Sequence, residues 1–132
     1  MNATDSFLEA CAEGALNQAK FFLPYLETID VRSNQGWTGL IIACHGEHHA
    51  LAKWLILQGA DVNATNRKGT TVFMYAKTPI IRSLDTTFLD YLIKRGADPN
   101  AQDSSGQTAL DYVKRSNRRS PLVQYLKTLK KN

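Results

Sequence analysis

The sequence predicts an all-α solenoid of about four stacked helix-turn-helix units, and three observations carry that prediction. Glycine followed two residues later by threonine occurs at Gly36-Trp37-Thr38, Gly69-Thr70-Thr71 and Gly106-Gln107-Thr108, at steps of 33 and 37 residues. The stretches "GADVNATNRKGTT" (59–71) and "GADPNAQDSSGQT" (96–108) share seven of thirteen residues. Each threonine is followed by two apolar-rich segments of helical character. Self-similarity at such a period marks supersecondary units that bury their apolar faces against one another. The chain has 132 residues, 43% of them hydrophobic, so one domain over 1–132 with a real core is expected.

In chain order, Asp5 lies 33 residues before Thr38, so Asp5, Thr38, Thr71 and Thr108 form one series. All four types cap helices by accepting a first-turn backbone N–H. The first helices are expected in "SFLEACA", "GLIIACH", "VFMYAK" and "ALDYVKR". The second are expected in "ALNQAKFFLPYL", "HALAKWLILQ", "TTFLDYLIKR" and "PLVQYLKTLKK". Leu51, Trp54, Leu55 and Gln58 keep helical spacing, as do Phe88, Tyr91, Leu92 and Arg95, which makes Trp54 a core residue. Gly59 and Gly96 stop their helices where a positive φ is expected. Pro121 suits a first helical turn, whereas Pro24 shortens or kinks its helix. Cys11 and Cys44, each after an alanine and 33 residues apart, read as small core hydrophobes.

Thr-x-Leu, then Ala, a second helix, Gly-Ala-Asp-x-Asn-Ala and Gly-x-Thr together resemble the ankyrin repeat. The likeness is specific over 36–64 and 96–110 and weaker over 4–33 and 108–132, as befits terminal caps that meet water. It implies units of about 4–33, 34–65, 66–102 and 103–132, joined by hairpin-like turns. The family's Thr-Pro-Leu-His reads Thr38-Gly39-Leu40-Ile41, Thr71-Val72-Phe73-Met74 and Thr108-Ala109-Leu110-Asp111. Proline and histidine are missing, so Ile41 and Met74 are expected to replace the histidine's hydrogen bond by packing. The third unit carries four extra residues, expected as a loop over Thr78–Thr87. Its Pro79, Ile80 and Ile81 either offer a private contact or roof the core, and the second reading is preferred. The fourth unit gains one residue before Pro121. Asn66 and Asp103 match the family's turn aspartate and Ser33 stands in for it in the first turn; all three can close a local turn. Asp61 and Asp98 are expected to hold backbone.

Charge and motifs exclude more than they suggest. Net charge is +4, yet seven Lys/Arg and no acid fall after residue 111, leaving residues 1–111 mildly acidic. That basic end is either a solvated surface or an attractor of nucleic acid or anionic surfaces through Lys114, Arg115, Arg118, Arg119, Lys127, Lys130 and Lys131. It lacks interleaved aromatics and base-reading motifs, so nucleic acid is disfavoured. "CHGEHH" (44–49) matches no standard zinc spacing, and Cys44 faces the core in the ankyrin alignment. "RKGTT" (67–71) has the wrong order for a phosphate loop. No catalytic residue, metal or cofactor is assigned. No signal peptide or membrane-length apolar run is seen, which makes the cytoplasm the expected compartment, and the chain is expected to be a monomer.

The resemblance implies a binding surface formed by the turn tips and the exposed side of the first helices, along a concave face. Carried across residue by residue, it comprises Arg32, Asn34, Gln35, Trp37, His45, Arg67, Lys68, Thr70, Gln107 and Arg115, flanked by Thr65, Thr78, Gln102, Ser104 and Ser105. Four Lys/Arg, a histidine and no acid favour another protein with an acidic contact region. Trp37, between Gly36 and Thr38, is either an exposed anchor or a ring folded over the neighbouring turn.

Overall fold

The computed structural model describes residues 2–130. Eight α-helices follow one another among these residues: α1 (Ala3–Glu13), α2 (Leu16–Phe22), α3 (Gly39–His45), α4 (His49–Leu57), α5 (Val72–Ser83), α6 (Thr87–Lys94), α7 (Ala109–Ser116) and α8 (Pro121–Thr128). The odd-numbered helices pack side by side, α1 on α3, α3 on α5, α5 on α7, and each also packs on the helix that follows it. The core threads through all of them. Phe7, Leu40, Ile41, Leu51, Leu55, Phe73, Leu89, Leu92, Val113 and Leu122 are all essentially sealed from solvent.

Local chemistry sets the helix starts. The hydroxyls of Thr38, Thr71 and Thr108 accept from the amides of Ile41, Met74 and Asp111 at 3.0–3.2 Å. Asp111 completes a capping box by accepting from the Thr108 amide. Asp5 breaks the series. It lies inside α1, and Asn2 is the cap, accepting the Asp5 amide at 2.8 Å.

Other expectations meet the structure directly. Gly59 and Gly96 have φ of +99° and +100°. Pro121 opens α8, and Pro24 lies in a single turn of 3-10 helix (Leu23–Tyr25) that ends α2 early. Ile41 and Met74 are buried. Asp61 and Asp98 accept the amides of Asn63 and Asn100. Trp54 is half-buried against the core, with the Lys20 amine 6.0 Å from its ring centre.

The expected loop over 78–87 is in fact helix as far as Ser83. Pro79 sits inside α5, where its ring denies Tyr75 the usual i+4 donor. Burial offsets that loss: Ile80 is buried with Ile81 packed partly against the core, while the Thr78 hydroxyl donates to the Met74 carbonyl at 3.2 Å. The added residues therefore lengthen the helix and roof the core.

Three turns of one design precede α3, α5 and α7. The amides of Ser33, Asn66 and Asp103 donate to the carbonyls of Trp37, Thr70 and Gln107, and those of Gly36, Gly69 and Gly106 donate back to the carbonyls of Ser33, Asn66 and Asp103. The turns also join each other: Arg67 N–H donates to the Gln35 carbonyl and Ser104 N–H to the Lys68 carbonyl. Close approach makes Gly69 indispensable. Its φ is +75° and a Cβ there would lie 2.9 Å from the Ser104 nitrogen. Gly106 has the same φ, +76°, with open space around it. Gly69→Ala is expected to cost roughly 2–4 kcal/mol and Gly106→Ala only about 1 kcal/mol, read as urea midpoints. Equal losses would show that the turn tips are not packed as described.

A second ladder links units on the far side of the turns. Asp30 accepts the Asp61 amide, Asn63 accepts the Asp98 amide and donates to the Gly96 carbonyl, and Asn100 donates to the Leu129 carbonyl. These three residues occupy one repeat position, and the shared asparagine of the "GAD" phrases serves this cross-unit role.

Candidate binding face

Turn tips and first helices together build one surface. Asn34, Gln35, Arg67 and Lys68 are exposed at the tips. Asn66 keeps its turn rigid by accepting the amides of Lys68 and Thr70 through Oδ1, and Asp103 does the same for Ser105 and Gln107. Ser33 accepts the Trp37 amide at 3.1 Å. Side chains on these turns therefore project from a fixed backbone.

The structure divides the expected contact residues into tied and untied ones. Arg32 is tied: its guanidinium donates to the carbonyls of Gly36 and Thr65, bracing two adjacent turns. Gln107 and Arg115 are tied to each other at 3.1 Å. Thr70 is half-buried, whereas Arg67 and Lys68 are exposed with no side-chain hydrogen bond among the described residues. Trp37 is half-buried and joins two rings, Tyr75 at 4.6 Å and His45 at 5.3 Å between centroids, while His45 stands 5.5 Å from Tyr75. It folds toward the next unit and still presents ring surface.

Sequence reasoning missed Tyr75, Tyr112 and Lys77. The tyrosines stand four residues after Thr71 and Thr108, a shared offset that comparison of the units could have flagged. Each reaches its own turn: Asn66 donates to the Tyr75 hydroxyl, and the Tyr112 hydroxyl donates to Asp103. That second bond, together with the amides of Gln107 and Ser105, holds the Asp103 carboxyl below its ordinary range. The Lys77 amine lies 5.3 Å and the Arg115 guanidinium 5.6 Å from the centre of the Tyr112 ring.

Lys77 occupies the offset of buried Cys44 and is itself only 7% exposed. Burial pushes its pKa down. The sign follows: between the folded and unfolded pKa the unfolded chain holds more protons, so stability rises with pH in that window. Lys77→Met is expected to raise the thermal midpoint at neutral pH, with a gain that shrinks as pH approaches the lysine's usual ~10.4. Midpoints of both proteins across pH check this; a constant difference would contradict it.

The side chains of "CHGEHH" point apart. Cys44 is sealed in the core, its thiol pKa raised by burial, as that of Cys11 is pushed up to about 12. His45 joins Trp37 and Tyr75. The His48 Nε2 lies 3.0 Å from the Ala12 carbonyl, and His49 stacks on Phe88 at 4.1 Å. Among the described residues no three His, Cys, Asp or Glu side chains gather as metal ligands. No helix described is long and apolar enough to cross a membrane. Of the basic end, Arg118, Arg119, Lys127 and Lys130 are exposed, and Lys131 lies outside the described residues.

Helix pairs, repeated turns and the two cross-unit ladders meet a direct comparison here. The family model for ankyrin repeats in three copies matches residues 7–103, and one for many copies matches residues 82–127. The chain belongs to the ankyrin repeat family. Within it, the chain is 41% identical over 61 residues to protein phosphatase 1 regulatory subunit 27 of Homo sapiens, and 39% identical over 61 residues to that of Mus musculus. It is 37% identical over 65 residues to the ankyrin repeat protein L122 of Acanthamoeba polyphaga mimivirus. Each match covers 46% of this chain, but 40% of the phosphatase subunits and 10% of the viral protein. Ankyrin repeats generally mediate protein–protein interaction, and a regulatory subunit among the relatives fits a binding role.

Proposed function

We propose that this ankyrin repeat chain is a non-catalytic binding module that takes an acidic segment of another protein on its concave face and turn tips. The observation that carries the reading is the pair Arg67 and Lys68, exposed on a turn whose backbone is locked by Asn66. Rigid presentation lowers the ordering cost of binding, and like-signed charge at the tips steers an acidic segment toward them. Asp103 and Asp111, on the last turn and the helix after it, are engaged with Tyr112, with backbone amides and with a helix cap, and so compete little for the cations. The relatives named as regulatory subunits support a role exercised through a second protein.

A second reading, nucleic-acid or anionic-surface binding, has the exposed Arg118, Arg119 and Lys127 in its favour. Capture from nuclease-treated lysate distinguishes the two. Arg67→Glu with Lys68→Glu is expected to lose the captured protein, and Arg118→Glu with Arg119→Glu and Lys127→Glu to keep it. Loss with the second variant alone, together with binding of added DNA or RNA by the unaltered chain that falls steeply with salt, would favour the other reading.

A further inference from the structure

The binding face changes character within one repeat. Tyr75 and Tyr112 occupy the same position in successive units, and each is pinned to its own turn, by Asn66 and by Asp103. Their surroundings differ. Around Tyr75 stand the rings of Trp37 and His45, all three within 5.5 Å of one another. One unit on, Thr70 and Thr78 replace Trp37 and His45, and the ring of Tyr112 is met by two cations, Lys77 and Arg115. No carboxylate accepts from the Lys77 amine among the described residues; its polar neighbour is the Thr78 hydroxyl at 3.4 Å. An open hollow beside Arg115 is lined by Gln107, Asp111, Lys114 and Arg118, three cations against one acid when Arg115 is counted, and that acid is committed to capping α7.

We propose that these are two adjacent subsites, an aromatic one of Trp37, His45 and Tyr75 and a cationic one headed by the exposed Arg115 beside Tyr112 with the buried Lys77 adding charge behind it, which together read one extended partner segment. Charge complementarity fixes half of the occupant: the second subsite takes a carboxylate. The ring surface of the first fixes the other half, a large apolar or aromatic side chain. Neighbouring helices pack ~8–10 Å apart and an extended chain rises ~3.3 Å per residue with side chains alternating between its faces, so two side chains directed at this surface stand about two or four residues apart. The proposal rests on the reading of this face as a protein-binding surface and adds what that surface selects.

Random short peptides displayed on phage, selected against the full chain, test it. Enriched peptides should pair an apolar residue with Asp or Glu at about that spacing. Trp37→Ala should erase the apolar preference and keep the acidic one. Lys77→Met with Arg115→Ala should do the reverse, each lowering the affinity of a selected peptide by about tenfold or more in calorimetry. Circular dichroism of each variant confirms that the helices persist. Acidic peptides with no paired apolar residue, no fixed spacing, or variants that each erase both preferences would overturn the two-subsite proposal while leaving the acidic-segment reading intact. No enrichment, or enrichment of basic peptides, would overturn both.

Discussion

Trp37→Ala combined with Arg67→Glu and Lys68→Glu is expected to abolish partner capture, weakening binding by on the order of 100-fold or more, with the fold intact. Tryptophan and arginine are the types most often found as energetic anchors, at roughly 2 kcal/mol or more each when truncated. Reversing two exposed charges adds repulsion against an acidic segment and slows its approach. The fold should tolerate the changes. Arg67 and Lys68 are exposed, and the bonds that hold their turn use backbone atoms and the Asn66 side chain. Trp37 is half-buried and packs against the core, so its loss lowers the midpoint somewhat through the ring contacts with Tyr75 and His45 without emptying a sealed core site. Pull-down and thermal melts of the triple variant check both halves; undiminished capture would sink the proposed surface.

Phe73→Ala should have the largest effect on stability. Phe73 is 1% exposed near the start of α5, and α5 packs on α3, α6 and α7. Emptying such a site costs roughly 3–5 kcal/mol, a large share of the ~5–15 kcal/mol that holds a domain of this size. In a repeat array each unit is stabilised by its neighbours, so damage at α5 weakens the coupling between the two halves. A fall in thermal midpoint of roughly 10–20 °C is expected. A loss below about 1 kcal/mol would mean that the core is not continuous across the third unit.

Most of the scaffold was legible because it is written more than once. Thr38, Thr71 and Thr108 at regular steps, with glycine two residues before each, gave away both the turns and the helix starts. Where a signal appears once, the reading failed. Asp5 continues the numerical series, yet it lies inside α1, where Asn2 caps the helix and accepts the Asp5 amide. Pro79 argued for a loop, yet α5 runs through it, since burial of Ile80 outweighs one missing amide. The face was legible in its charges and less so in its contacts. Arg32 counts as a surface cation by position, but Gly36 and Thr65 across the turns claim its guanidinium. The aromatic and cationic surroundings of Tyr75 and Tyr112 depend on which side chains of adjacent units meet, and that needs coordinates.

Site-specific photo-crosslinking tests the central claim most directly, because it works whatever the identity of the partner. A photoreactive amino acid placed at Gln35 or Ser105 on the turn tips, or at Leu57 or Lys94 on the second helices, keeps each probe at an exposed position. The account predicts that Gln35 and Ser105 link to a common protein through an acidic segment, and that Leu57 and Lys94 do not. Crosslinks to that protein from Leu57 and Lys94 with none from the turn tips would contradict it.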